Sequence, residues 1–402
     1  MGSAVLRVAY ARHFNPVAAV TQCVSALGDV KPLMLLVFCG GKHDPQPVLG
    51  ALRASFGDVP LVGGSAAGAI WNHGCGYSGL EVGIAAFLHD SVVPEIRLTT
   101  DLDRDEVAAG KALGRSVAET AAENAVVLLF FDSVARNPPL RLHFASSIVE
   151  GFQEGLGSHP VTLIGGGLLT DLNLSDGWVF DGAGIRKHAA IALVFPPRVH
   201  AETVVLHGCR PVSTFMEITR IEGAEVFELD GQPALAAIKE KLPHLELTEE
   251  NSNLSLIATL GEKQGDPFAP YDENAYVNRL ILNYDRTRGS VTLFEPDFRR
   301  GTRVQIMSRD NSLMLDSARN GVKVINDAAR ARDCLMGLYI DCAGRASARS
   351  GAPVEEADLV RQGFEPSVPL LGFYSGVEVA PFQGYSRPLD WTGVLTVLRR
   401  RP

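Results

Sequence analysis

The stretch VPLVGGSAAGAIWNHG (residues 59–74) decides the fold, because two further stretches of the chain follow its plan. They are HPVTLIGGGLLTDLN (159–173) and VPLLGFYSGVEVAP (368–381). In each, a short apolar run meets a glycine, turns, and continues. Self-similarity of this kind fixes architecture more firmly than local propensity does. Upstream of each lies an apolar run, LLVFCGGKHD (35–44), VVLLFFDSVARN (126–137) or CLMGLYIDCAGRA (334–346). A helix-like segment follows each: PVLGALRASFG (47–57), LRLHFASSIVEGFQEGLG (140–157) and PVEEADLVRQGF (353–364). Each copy closes on one more strand, LEVGIAAFL (80–88), HAAIALVF (188–195) or WTGVLTVLRR (391–400). The unit therefore reads strand, helix, strand, turn, strand.

Continuous apolar strands beside helices predict sheets covered by helices, and the closing turn-and-strand adds antiparallel pairing. The fold class is mixed α/β (α+β), with mixed sheets flanked by helices. The glycines after PLV, TLI and PLL permit positive φ or a close backbone approach, and three of them at matching strand ends suggest a shared cleft. Between the second and third copies, residues 210–243 read as strand, turn, strand and a helix with Pro233 in its first turn. TLGEKQGDPFAPYDENA (259–275) reads as a polar loop. The expected division is residues 1–200 and 201–402.

The chain has 402 residues, 46% hydrophobic and 21% charged, which suits two packed domains and not a disordered chain. A formal net charge of -9 argues against nucleic acid and anionic membrane surfaces as partners. The apolar runs are shorter than the roughly 20 residues a membrane-spanning helix needs. MGSAVLRVAY at the start does not read as a secretory leader, and 6 scattered cysteines form no framework, so a cytoplasmic setting is expected.

DGAGIRKHAAIALVFPP (181–197) places His188 directly after two cations at the start of a buried strand. An imidazole there is either a partly buried packing residue or a ligand. In the third copy, Cys342, Arg345, Tyr374 and Glu378 fall near matching strand ends. Arg345 offers a fork to a carboxylate, Glu378 a partner for an amine, Tyr374 an apolar wall; the same residues equally suit an internal Arg to Glu pair. Other motifs fail on context. GCGYSG (74–79) precedes a strand instead of opening a helix, GGKHD and GEKQG lack the end of a phosphate loop, and GGSAAG is one residue too long for a nucleophile elbow. No C-x-x-C-H is present, and the two HGC triplets lack further zinc ligands. With no assembled acid, base or nucleophile, a non-enzyme is expected.

VPLVGGSAAGAIWNHG with its following strand, TRIEGAEVFELDGQPAL (219–235), DCAGR (341–345) and VPLLGFYSGVEVAP occur in the order that resembles FIST-type sensory proteins, with a FIST N-like and a FIST C-like domain. The resemblance covers nearly the whole chain. It implies a signal-input module that binds a small ligand and reports to a separate partner, such as a histidine kinase or a cyclic-dinucleotide enzyme, and it leaves a homodimer open. One branch is similar to nitric-oxide-sensing haem proteins. That resemblance implies haem b with iron bound by His188 and propionates met by Arg186 and Lys187; strand alternation would put Arg186 on the face of His188 and turn Lys187 away, which makes Arg186 the better rim residue. His13, His73 and His143 are the substitutes if His188 is not the ligand. The second reading is a haem-free sensor of an amino acid or similar metabolite, bound at Arg345, Tyr374, Glu378 and Cys342.

Overall fold

The computed structural model describes residues 5–242, 257–331 and 333–400. It contains the three copies, each one strand and one helix longer at its start than the quoted repeats show. The first runs Leu6–Arg12, helix Pro16–Leu27, Met34–Gly40, helix Pro45–Phe56, Leu61–Ala66, the hairpin Ala69–Trp71 and Gly74–Gly76, then Glu81–Phe87. The second runs Glu95–Thr99, helix Glu106–Ala118, Ala125–Asp132, helix Ala145–Leu156, Val161–Leu168, the hairpin Val179–Gly182 and Ile185–Arg186, then Ala190–Val194. The third has Val199–Leu206, helix Asn311–Ala329, Cys334–Cys342, helix Glu356–Gly363, Leu370–Ser375, the hairpin Glu378–Phe382 and Tyr385–Leu389, then Gly393–Arg400. Local chemistry sets the ends. Asn15, Asp44, Asp105 and Asp310 each accept a backbone N–H of the helix they open, and Pro16 and Pro45 occupy first-turn positions.

Each copy builds one mixed sheet in the order first, last, second, third strand, with the second and third parallel. The hairpin does not stay with its own copy. That of the first copy pairs with Leu370–Ser375 in the third sheet, that of the second with Leu61–Ala66 in the first, and that of the third with Val161–Leu168 in the second. The exchange closes a cycle of three sheets. Their inner faces meet in a common core in which Phe38 stacks on Phe373 at 4.2 Å and meets Phe130 edge-on at 5.6 Å. Helices cover the outer faces.

The three repeat glycines have a definite task. A Cβ on Gly63, Gly165 or Gly372 would lie 2.3, 1.8 or 2.3 Å from the carbonyl oxygen of Val37, Leu129 or Tyr339 on the neighbouring parallel strand. They permit close strand approach, and the residues level with them, Val37, Leu129 and Tyr339, lie on the outer side of the sheets, away from the phenylalanine core.

A closed barrel sits between the first strand and first helix of the third copy. Its strands include Met216–Glu222, Glu225–Leu229, Ala258–Lys263, Tyr276–Asp285, Ser290–Leu293 and Arg303–Arg309. Part of the expected loop 259–275 is strand: Ala258–Lys263 pairs with Tyr276–Asp285 on one side and Arg303–Arg309 on the other, which closes the barrel. Pro233 caps the helix Ala234–Lys241 rather than lying within it. Two buried polar contacts dock the barrel on the ring. Arg279 forks onto Asp297 at 2.7 and 2.6 Å and lies 3.6 Å from Asp390. Glu295 accepts the N–H groups of Ala145 and Ser146, at the start of a second-copy helix, at 3.1 and 2.8 Å. Among the described residues no helix is long and apolar enough to cross a membrane.

Candidate functional site

The third-copy residues do meet, but they bind one another. Arg345 is fully buried, and its guanidinium donates to both Glu356 oxygens at 2.8 and 2.5 Å and to the carbonyls of Trp391 and His207. Asp341 lies 3.5 Å away. Burial raises the Asp341 and Glu356 carboxyls above the usual range, and Arg345 pulls them back. The fork expected for a ligand is therefore occupied by Glu356. Tyr374 donates its hydroxyl to Glu355 at 2.9 Å. Glu378 accepts from Ser375 at 2.5 Å and from the Thr392 N–H and hydroxyl at 3.1 and 3.0 Å; burial pushes its carboxyl up to about 8. Of the four residues read as a ligand pocket, Cys342 lines a cavity, and burial holds its thiol protonated.

That cavity, of about 230 Å³, opens at the carboxyl ends of the parallel strands Cys334–Cys342 and Leu370–Ser375, where α/β sheets commonly receive ligands. Leu174 from the second copy and Leu280 and Phe294 from the barrel supply an apolar wall. Arg309 and Arg349 also line it, and no carboxylate does among the described residues. The Arg309 guanidinium lies 3.6 Å over the Trp391 ring and donates to the Gly344 carbonyl at 2.9 Å. Burial draws its pKa down to about 9. Arg349 is held by the Leu172 carbonyl at 2.7 Å and by the Asn173 side chain. The sequence offered no signal for these two arginines, which come from a barrel strand end and a short helix 40 positions apart, a separation that local spacing does not encode.

His188 does not open a strand. It sits in a left-handed turn, φ 52°, two residues before Ala190–Val194. The alternation that would place Arg186 on its face is thereby broken. Arg186 pairs with Asp181 at 2.7 Å and Lys187 with Asp176 at 2.6 Å, so both cations have carboxylate partners within the protein. The His188 N–H donates to Asp132 at 2.9 Å, and its carbonyl accepts from Leu102 at 3.1 Å. Its ring Nδ1 lies 3.0 Å from Nε2 of the buried His143, whose Nδ1 is 3.3 Å from Glu106. The two imidazoles meet edge-on at 5.3 Å. A haem ligand needs a flat apolar slot beside its ring. Here a second imidazole stands against its ring, Asp132 accepts its backbone N–H, and Glu106 lies behind His143, so the residues present do not fit a porphyrin. His143 had been a substitute ligand in the sequence; Asp132 and Glu106 carried no sequence signal beyond Asp132 ending an apolar strand.

Uncharacterized protein Rv0628c of Mycobacterium tuberculosis is 25% identical over 193 residues, 47% of this chain and 49% of that protein. Uncharacterized protein Mb0898c of Mycobacterium bovis is 26% identical over 193 residues, 47% and 48% of the two chains. The chain thus spans about half the length of the curated relatives it matches. Among solved structures, a cyanuric acid hydrolase from A. caulinodans aligns over 99% of both chains at 10% identity with a TM-score of 0.36, and a chorismatase over 99% of both at 10% and 0.34. Likeness at that level carries no functional argument. The FIST N domain family matches residues 34–232 and the FIST C domain family residues 234–381, and the chain therefore belongs to the FIST family of sensor domains.

Proposed function

We propose that this FIST sensor takes a small organic anion with an apolar body into the cavity between the barrel and the second and third copies. The observation that carries the reading is the lining itself: two guanidiniums, Arg309 and Arg349, face an otherwise largely apolar space without a carboxylate among the described lining residues. Its volume of about 230 Å³ exceeds the roughly 150 Å³ of an engineered cavity that holds benzene, so a ring or branched chain with one carboxylate is the matching size. The charge argument disfavours an amino acid, because its ammonium would have no counter-charge in the lining. A ligand there touches both barrel and ring. Binding would bias their docking, and a separate histidine kinase or cyclic-dinucleotide enzyme that distinguishes the two dockings would receive the signal.

A calorimetric and thermal-shift comparison of benzoate, 3-phenylpropionate, phenylalanine and benzamide tests this. We expect 3-phenylpropionate or benzoate to bind, phenylalanine and benzamide to bind at least about tenfold more weakly, and Arg349→Gln to lose about 1.5–3 kcal/mol of binding, the value of a hydrogen bond to a charged group. Equal binding of benzamide, or no effect of Arg349→Gln, counts against the site.

The haem and nitric-oxide reading has its own check. Given the polar surroundings of His188, haem added to the purified protein is expected to give no Soret band that depends on this residue. A sharp band lost in His188→Ala would restore the gas-sensor reading.

A further inference from the structure

We propose that Asp132, His143 and His188 bind one divalent transition-metal ion without a porphyrin. One donor atom from each lies within 4.8 Å of the others. The two imidazole nitrogens face each other at 3.0 Å. An ion bound at about 2.0–2.1 Å to adjacent nitrogens separates them by about 2.9–3.4 Å at octahedral to tetrahedral angles, so it replaces the proton between the rings with little movement.

The surroundings support the same use. Glu106 lies against Nδ1 of His143, which fixes the tautomer that leaves Nε2 as the donor toward the ion; a carboxylate behind a ligating histidine is the usual orienting arrangement. Asp132 is fully buried at the end of its strand, with N–H groups of Val134 and His188 holding its two oxygens at 3.0 and 2.9 Å. His188 adopts a positive φ that a residue with a Cβ rarely takes, and in that turn its ring meets His143. The donors come from three separate places in the second copy: a strand end, the approach to a helix, and a hairpin exit. His143 is buried and His188 half-buried, which gives a held site with a way in. Two imidazoles and one carboxylate suit zinc, iron(II) or manganese rather than a soft thiolate-seeking ion.

The test uses the full chain, free of any affinity tag and stripped with a chelator, titrated with zinc and separately with cobalt(II). About one zinc per chain is expected, with affinity reduced more than about 100-fold in His188→Ala and about 10–100-fold in Glu106→Gln, as for outer-shell partners. Cobalt in the unaltered protein should show visible ligand-field bands without a sulfur-to-metal charge-transfer band. The proposal is overturned if the unaltered protein binds no zinc, if His188→Ala binds it equally well, or if cobalt reports thiolate ligation by the cysteines.

Discussion

Arg345→Met is expected to destabilise the protein by about 3–5 kcal/mol, the cost of removing one partner from a buried ion pair. The substitution leaves Glu356 and Asp341 facing each other in a fully buried space with no cation between them. Both then hold protons more tightly than in the unfolded chain. A carboxyl whose folded pKa is raised binds more protons folded than unfolded, so stability falls as pH rises above the ordinary carboxylate range. The loss in Arg345→Met should accordingly grow from pH 5 to pH 8, approximately the span over which unfolded carboxylates are ionised. Urea unfolding at both pH values measures it. Pairing the change with Glu356→Leu should recover a large part, because an apolar pair of similar volume often replaces a buried ion pair without loss. Unchanged stability with loss of an amino-acid ligand would instead show that the Arg345 fork serves binding.

Gly165→Ala is expected to cost at least about 3 kcal/mol, the upper part of the usual overpacking range. Its Cβ would lie 1.8 Å from the Leu129 carbonyl oxygen and 2.7 Å from the carbonyl carbon, and both belong to the backbone of the adjacent parallel strand. No rotamer relieves such a clash; the strands must part. Gly50→Ala is the contrasting control. It lies on an exposed face of the helix Pro45–Phe56 with nothing near its would-be Cβ, so alanine there should stabilise by about 0.5–1 kcal/mol. Denaturant midpoints of the two variants decide whether the repeat glycines serve strand approach.

Much of the ring was legible because each copy writes the same period and the same glycine at the same place. Residues 59–74, 159–173 and 368–381 all became a third strand, and the first and last of these stretches also contain the start of a hairpin, which in the second copy begins later, at Val179. What periodicity does not carry is the destination of a strand. Ala69–Trp71 is short and apolar wherever it pairs, and nothing local says that its neighbour is Leu370–Ser375. The candidate sites were harder for the same reason. Arg345 and Glu356 are 11 positions apart and Asp132 and His188 are 56, and such pairings follow from the packed fold. Residue type made His188 worth noticing; its left-handed turn and its contact with His143 gave it a different chemical setting from the strand opening the sequence suggested.

The cyclic hairpin exchange also sets how many copies the architecture can hold. An open solenoid gains or loses a unit at its ends and keeps its remaining interfaces. Here, removing one copy would take a hairpin from one sheet and leave another hairpin without its sheet, so two edges would be exposed at once. Closure thus makes three a fixed copy number and leaves insertion between strands, as the barrel illustrates, as the way for the architecture to grow.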